Sequence, residues 1–510
     1  MSPAPSASPA APLGLGQRLG YSAGTLALSV KDLAFTSFVL FYYVSVVGLS
    51  GSLAGLVLLL AMFWDAVTDP IVGALSDNLR SRWGRRHPFM AVSGVPLAIC
   101  LYALFNVPDD LGQTGIFMWM LCVTLLLRTF LTLFTVPYLA LGAELSTDYH
   151  ERTVITGTRT VVYWLSVVLM GAVAFGVFFA RDGADGGDGR LVRDNYWLYG
   201  VFCAAVVLVF TAVATWATAT HIPRLRQNES QTPFRLAQIA RDLIQALSNN
   251  NFRNLFWMLL VIGAATGLTS ALNTHLNTYF WELSQQQITW ALLSTVLPVL
   301  AMSALMRRLN RQLEKQQALL WASVLLGANA MWLIPGRLLG LMPDNGSDAL
   351  FALILLQGWL SIATIIWFQT VSASLIADIA DEQELRTGKR QEGVFFAAQG
   401  FAQKVPSGLG NFFGGIVLDV IRLPVGAQPG SVGSEVLFGL GLVMGPLVGI
   451  LLLTGILFAR AIRTSRERHG EVRAALDAKA SAGVIARLQE APTPAVAESE
   501  QRTLSAASGG

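Results

Sequence analysis

Asp65 and Asp69 stand four residues apart in "FWDAVTDPIVGALSDNLRSRWGRRHPF" (residues 63–89), directly after the apolar run "GSLAGLVLLLAM". On a helix, that spacing puts both carboxylates on one face. At about 1.5 Å per residue, Asp65 lies roughly 20 Å into such a helix. An ionised side chain at that depth costs at least ~2.5–3.5 kcal/mol, so it faces a cavity or a partner and not lipid. Two readings follow. In one, the pair is a cation site: with Thr68 beside it and Thr132 on a later segment, it offers oxygens to a hard ion such as sodium. Alternatively one acid takes a proton, because burial and a like-charged neighbour both penalise the ionised form. In the other reading, Pro70 ends the helix early and the acids pair with the block Arg80, Arg82, Arg85 and Arg86.

Further charges fall inside apolar segments: Asp32 preceded by Lys31, Arg128, Arg159, His275 and Lys404. Arg128, Thr132 and Thr135 follow i, i+4, i+7 spacing and share a face that cannot meet lipid without stranding a guanidinium. Arg128 either pairs with Asp65 or Asp69, or grips an anionic cargo as a bidentate fork. Lys404 either snorkels to an interface or joins the buried set, and His275 either packs or functions. Trp367, with Tyr42 and Tyr43, carries a ring suited to stacking on a sugar, although packing is the commoner use of such rings. Gln399 completes the candidate substrate contacts, and Asp77 with Arg85 and Arg86 forms a candidate gate.

The elements that hold these residues must be membrane helices. Of 510 residues, 53% are apolar and only 13% charged, against roughly 25% charged in soluble domains. Apolar runs near the ~20 residues needed to cross a bilayer recur along the chain, and the strict alternation of a membrane barrel is missing. About twelve spans can be counted, split six and six by the polar break 223–252, which contains an amphipathic surface helix. Arginine and lysine concentrate in the loops after even-numbered spans, which places both termini in the cytoplasm of a bacterial inner (plasma) membrane. The expected organisation is a disordered lead 1–18, a first half 19–222, the linker 223–252, a second half 253–463 and a cytoplasmic tail 464–510. Two six-helix halves predict an all-α membrane protein of the major facilitator fold, whose halves rock about a midplane site. Cys100, Cys122 and Cys203 lie in apolar segments with no CxxC pair or His-rich partner, so they read as packing and not as a zinc site. No nucleophile–base pair or phosphate loop is present, so transport is expected and not enzyme chemistry. No cofactor and no nucleic-acid partner are expected.

The blocks "KDLAF…FYYVSVVGLS", "WDAVTDPIVGALSDNLRSRWGRRHPF", "VPYLALGAELSTDYHERTVITGTR" and "ADIADEQELRTGKRQEGVFFAAQGFAQK" resemble the glycoside-pentoside-hexuronide:cation symporters, in order and spacing from about residue 20 to 462. The resemblance implies that Asp65 and Asp69 bind the cation with Thr132 contributing a hydroxyl. It implies that Asp32 and Arg159 contact sugar, that Lys404 sits near both sites, and that Arg85 and Arg86 latch the halves. The implied activity is import of a glycoside or related sugar, by a monomer, coupled to sodium or protons. Thr135 replaces a sugar-binding aspartate of the family's galactoside pocket, Leu139 replaces a tryptophan, Thr68 replaces an asparagine, and Arg128 is added. The galactoside pocket is therefore not carried over intact. An anionic uronide or an amphipathic lipid remains an alternative cargo, and a non-transporting sugar sensor a remote one.

Overall fold

The computed structural model describes residues 13–146, 148–180, 187–222, 244, 246–387, 392–476 and 478. The helices are α1 (Leu15–Val46), α2 (Gly51–Asn78), α3 (His87–Leu104), α4 (Gln113–Glu144), α5 (Glu151–Phe178), α6 (Arg193–Ala219), α7 (Asn250–Phe280), α8 (Gln285–Gln312), α9 (Lys315–Leu338), α10 (Asp348–Thr387), α11 (Glu392–Val420) and α12 (Ser434–Ala461). All but α11 qualify as membrane-crossing by length and composition over their described residues, and α11 carries the apolar stretch Gly408–Val420. Helices are the outcome because a lipid-embedded backbone must satisfy its N–H and C=O groups within its own segment. Two sequence expectations change. The helix does not break at Pro70 but runs on to Asn78, and α1 begins at Leu15, inside the lead expected to be disordered. Residues 1–12 of that lead, residues 223–243 of the 223–252 linker in which a surface helix was expected, the Lys404 side chain and the tail beyond residue 478 lie outside the described residues.

Within the first half α1 packs on α5 and α6, α3 on α4 and α6, and α2 on α4. Within the second, α7 packs on α11 and α12, and α9 on α10 and α12. The halves meet through α2 against α11, α5 against α8 and α1 against α7. Glycine makes the first of these contacts possible. A Cβ on Gly415 would lie 1.9 Å from the Gly51 carbonyl oxygen, so the two backbones touch where no side chain fits.

The two ends of the bundle differ. One carries the arginines of the α2–α3 connection; the other is bounded by the α1–α2 turn. At this second end Asp419 of α11 accepts from Gly51 N (2.6 Å), Ser52 N (2.8 Å), Ser50 Oγ (2.7 Å) and Ser52 Oγ (2.5 Å), capping α2 from the opposite half. Thr274 Oγ1 donates to Ser37 O (2.6 Å), Arg190 to Leu283 O (2.9 Å), and Gly426 N to Ser45 O (2.8 Å). At the arginine-rich end the described ion pairs stay within a half. Glu144 receives Arg85 (2.7 Å) and Arg86 (2.9 Å), and Arg86 also meets Asp77 (2.5 Å). In the second half Lys315 pairs with Asp378 (2.5 Å), while Arg468 of the helical tail segment pairs with Glu382 (2.7 Å). Among the described residues, then, polar bonds between the halves gather toward one end only, and the molecule is closed there.

Candidate functional site

The apolar length of α2 carries Asp65 deep into the bundle, and its packing on α4 brings the i, i+4 pair Arg128 and Thr132 opposite the i, i+4 pair Asp65 and Asp69. The two pairs meet in register. Arg128 Nη1 donates to Asp65 Oδ2 at 2.8 Å, and Thr132 Oγ1 donates to Asp69 Oδ1 at 2.9 Å. Asp65 is 8% exposed and Arg128 9%, so this ion pair is largely withdrawn from solvent. The guanidinium also lies 4.4 Å from the centre of the Phe35 ring, within cation–π range. Thr68 turns its hydroxyl back to Trp64 O on its own helix (3.0 Å).

A hard cation takes several oxygen ligands; here a guanidinium nitrogen occupies one lobe of Asp65, while the Thr68 hydroxyl gives its proton to its own backbone and keeps its oxygen lone pairs. At Asp69 the Thr132 hydroxyl brings a further oxygen to the carboxylate. Of the two uses foreseen for Arg128, the structure displays the pairing with Asp65.

A second cluster joins α1 to α5. Lys31 and Asp32 form an ion pair, and Tyr163 donates its phenol to Asp32 Oδ2 at 2.8 Å. Arg159, one turn before Tyr163 on α5, donates to Tyr21 OH at 3.3 Å. Both clusters hang on α1, because Asp32 and Phe35 are one turn apart. Asp32 reaches α5 while Phe35 reaches Arg128 on α4. The stretch between them runs into a π-helical turn, Ala34–Phe38, a local widening that often accompanies functional sites.

Other candidates lie apart. His275 is fully buried at the seam between the halves, 4.9 Å from the Phe41 ring. Trp367 is 3% exposed and donates to Asn310 Oδ1 (3.2 Å). Tyr42 and Tyr43 donate to the carbonyls of Phe105 (3.1 Å) and Leu104 (2.9 Å) inside the first half. Gln399 is buried on α11. Arg85, Arg86 and Asp77 converge with Glu144, and Arg86 adds a bond to Ser76 Oγ (2.6 Å). Phe35, Tyr163 and Tyr21 were missed as site residues. Aromatic residues are abundant in this chain, and only the helical spacing of Phe35 from Asp32 marked one of them.

The sequence pattern of the family described as MFS/sugar transport protein matches residues 20–464. An uncharacterized symporter of Synechocystis sp. is 26% identical over 91% of this chain and 96% of its own length. The isoprimeverose transporter of Lactiplantibacillus pentosus is 21% identical over 79% of each chain. The sodium-dependent lysophosphatidylcholine symporter 1 of Gallus gallus is 33% identical over 32% of this chain and 30% of its own. Among solved structures the nucleoside transporter NupG superposes with a TM-score of 0.54 at 13% identity, covering 87% of this chain and 98% of that one, which speaks for the fold alone.

Proposed function

The chain belongs to the MFS/sugar transport protein family and is a multi-pass secondary transporter, and from that premise we propose that it is a symporter importing a glycoside or related sugar together with a cation. The positive-inside bias supports the arginine-rich end as the cytoplasmic one, and on that orientation the closed end faces outward. The observation that carries the proposal is the double attachment of α1: the same helical turn contacts Asp65–Arg128 through Phe35 and presents Asp32 to Tyr163. A cargo hydroxyl that donates to Asp32 competes with the Tyr163 phenol and shifts α1. That shift changes the contact between Phe35 and Arg128 and biases the seam where α1 meets α7. Coupling of this kind is a differential free energy between two global states, each stabilised by its own contacts.

The isoprimeverose transporter supports sugar as the cargo, and the lysophosphatidylcholine symporter supports an amphipathic lipid as the second reading. With Arg128 turned to Asp65, an anionic uronide has less support. Reconstituted vesicles offered glycosides, uronides and lysolipids under an imposed ion gradient separate these. Asp32→Asn is expected to abolish gradient-driven uptake of the preferred sugar while the protein melts as the parent does. Full uptake by that variant would reject the assignment of Asp32.

A further inference from the structure

We propose that Arg128 is the ion-selectivity determinant of this transporter: a resident counter-cation on Asp65 that makes the carrier independent of sodium. The inference rests on the symport reading and narrows its ion. Its basis is the geometry between α2 and α4. Two carboxylates one turn apart, with the Thr132 hydroxyl, would by themselves make an oxygen set attractive to sodium. The chain adds a guanidinium to that set, 2.8 Å from Asp65 Oδ2 and backed by the Phe35 ring at 4.4 Å. Its position is held from both sides, since α4 carries it and α1 covers it.

A sodium ion bound to the same carboxylate would sit about 4 Å from this charge. At an effective dielectric of about 20, repulsion between unit charges at that separation weakens binding on the order of several hundredfold. Displacing the guanidinium instead would strand a charge that is 9% exposed. Either route penalises sodium. The charge balance that an incoming ion would otherwise supply at Asp65 is permanently present, and the positive charge sits in the side chain.

The test reads sodium on the protein itself. Purified wild-type protein is melted in sodium chloride and in choline chloride at equal ionic strength, and equal midpoints are expected up to about 100 mM salt, because a ligand that does not bind cannot stabilise. Arg128→Gln removes the competing charge, and a sodium-specific rise in its midpoint is expected. A sodium-specific rise in the wild type, or none in a folded Arg128→Gln protein, overturns the proposal. Radioactive sodium binding to the wild type decides the matter where the variant fails to fold: saturable binding below about 100 mM overturns it, and the absence of such binding upholds it. In vesicles, cargo uptake is expected to be equal when external sodium is replaced by choline. Uptake driven by a sodium gradient counts against this inference alone, and absence of uptake under any ion gradient counts against symport alone.

Discussion

On the orientation proposed above, Asp419→Ala should shift the carrier toward its outward-open state. In the closed arrangement this one carboxylate accepts from two backbone N–H groups and two hydroxyls at the start of α2, at 2.5–2.8 Å. Once the halves part at that end, α11 and α2 separate and water takes over the same donors, so the loss falls on the closed state only. Hydrogen bonds to a charged group contribute about 1.5–3 kcal/mol each in protected settings. Asp419 is exposed, so screening reduces the whole set to about 2–3 kcal/mol. That is roughly a 30- to 150-fold change in the ratio of the two states. A reporter is available in Ser45, which is 1% exposed and whose carbonyl accepts from Gly426 across the seam. With Cys100, Cys122 and Cys203 replaced by alanine, Ser45→Cys should react slowly with a membrane-impermeant maleimide added outside. Adding Asp419→Ala should raise that rate at least tenfold. A rate within twofold of the parent, in a protein with the parental melting midpoint, would refute the assignment of Asp419 as the outer latch.

Two further perturbations test the same geometry. Gly415→Val places a side chain where a Cβ already lies 1.9 Å from Gly51 O, so the same cysteine should label faster, and unchanged labelling would show that α2 and α11 do not depend on this contact. Asp65→Asn strands the Arg128 guanidinium and should destabilise the protein by about 3–5 kcal/mol. The double variant Asp65→Asn with Arg128→Gln should recover at least half of that in denaturant titrations, and additive losses would show that the two side chains do not interact.

Much of this architecture was legible from local pattern. Helix length and the withdrawal of Asp65 and Arg128 from solvent follow from apolar run length and from the cost of charge in hydrocarbon, both properties of a single segment. The i, i+4 spacing within α2 and within α4 was equally plain, because helical periodicity is a local quantity. Which acid would receive Arg128 was not, since both readings satisfied the same energetic demand. Whether the helix would end at Pro70 was open for a related reason. A proline weakens a helix in isolation, but packing of α2 against α4 and α11 carries the helix past it.

What the sequence by itself determined is that the charges within apolar segments, Asp65, Asp69, Arg128 and Asp32, had to face a partner or a cavity and not lipid. Only the tertiary structure decided the partners: Arg128 with Asp65 over Phe35, Thr132 with Asp69, Tyr163 with Asp32, and Asp419 with the start of α2. Such choices depend on the relative rotation and depth of helices far apart in the chain. Those are set by how many side chains interlock and by where glycine lets two backbones touch, and no single segment contains that information.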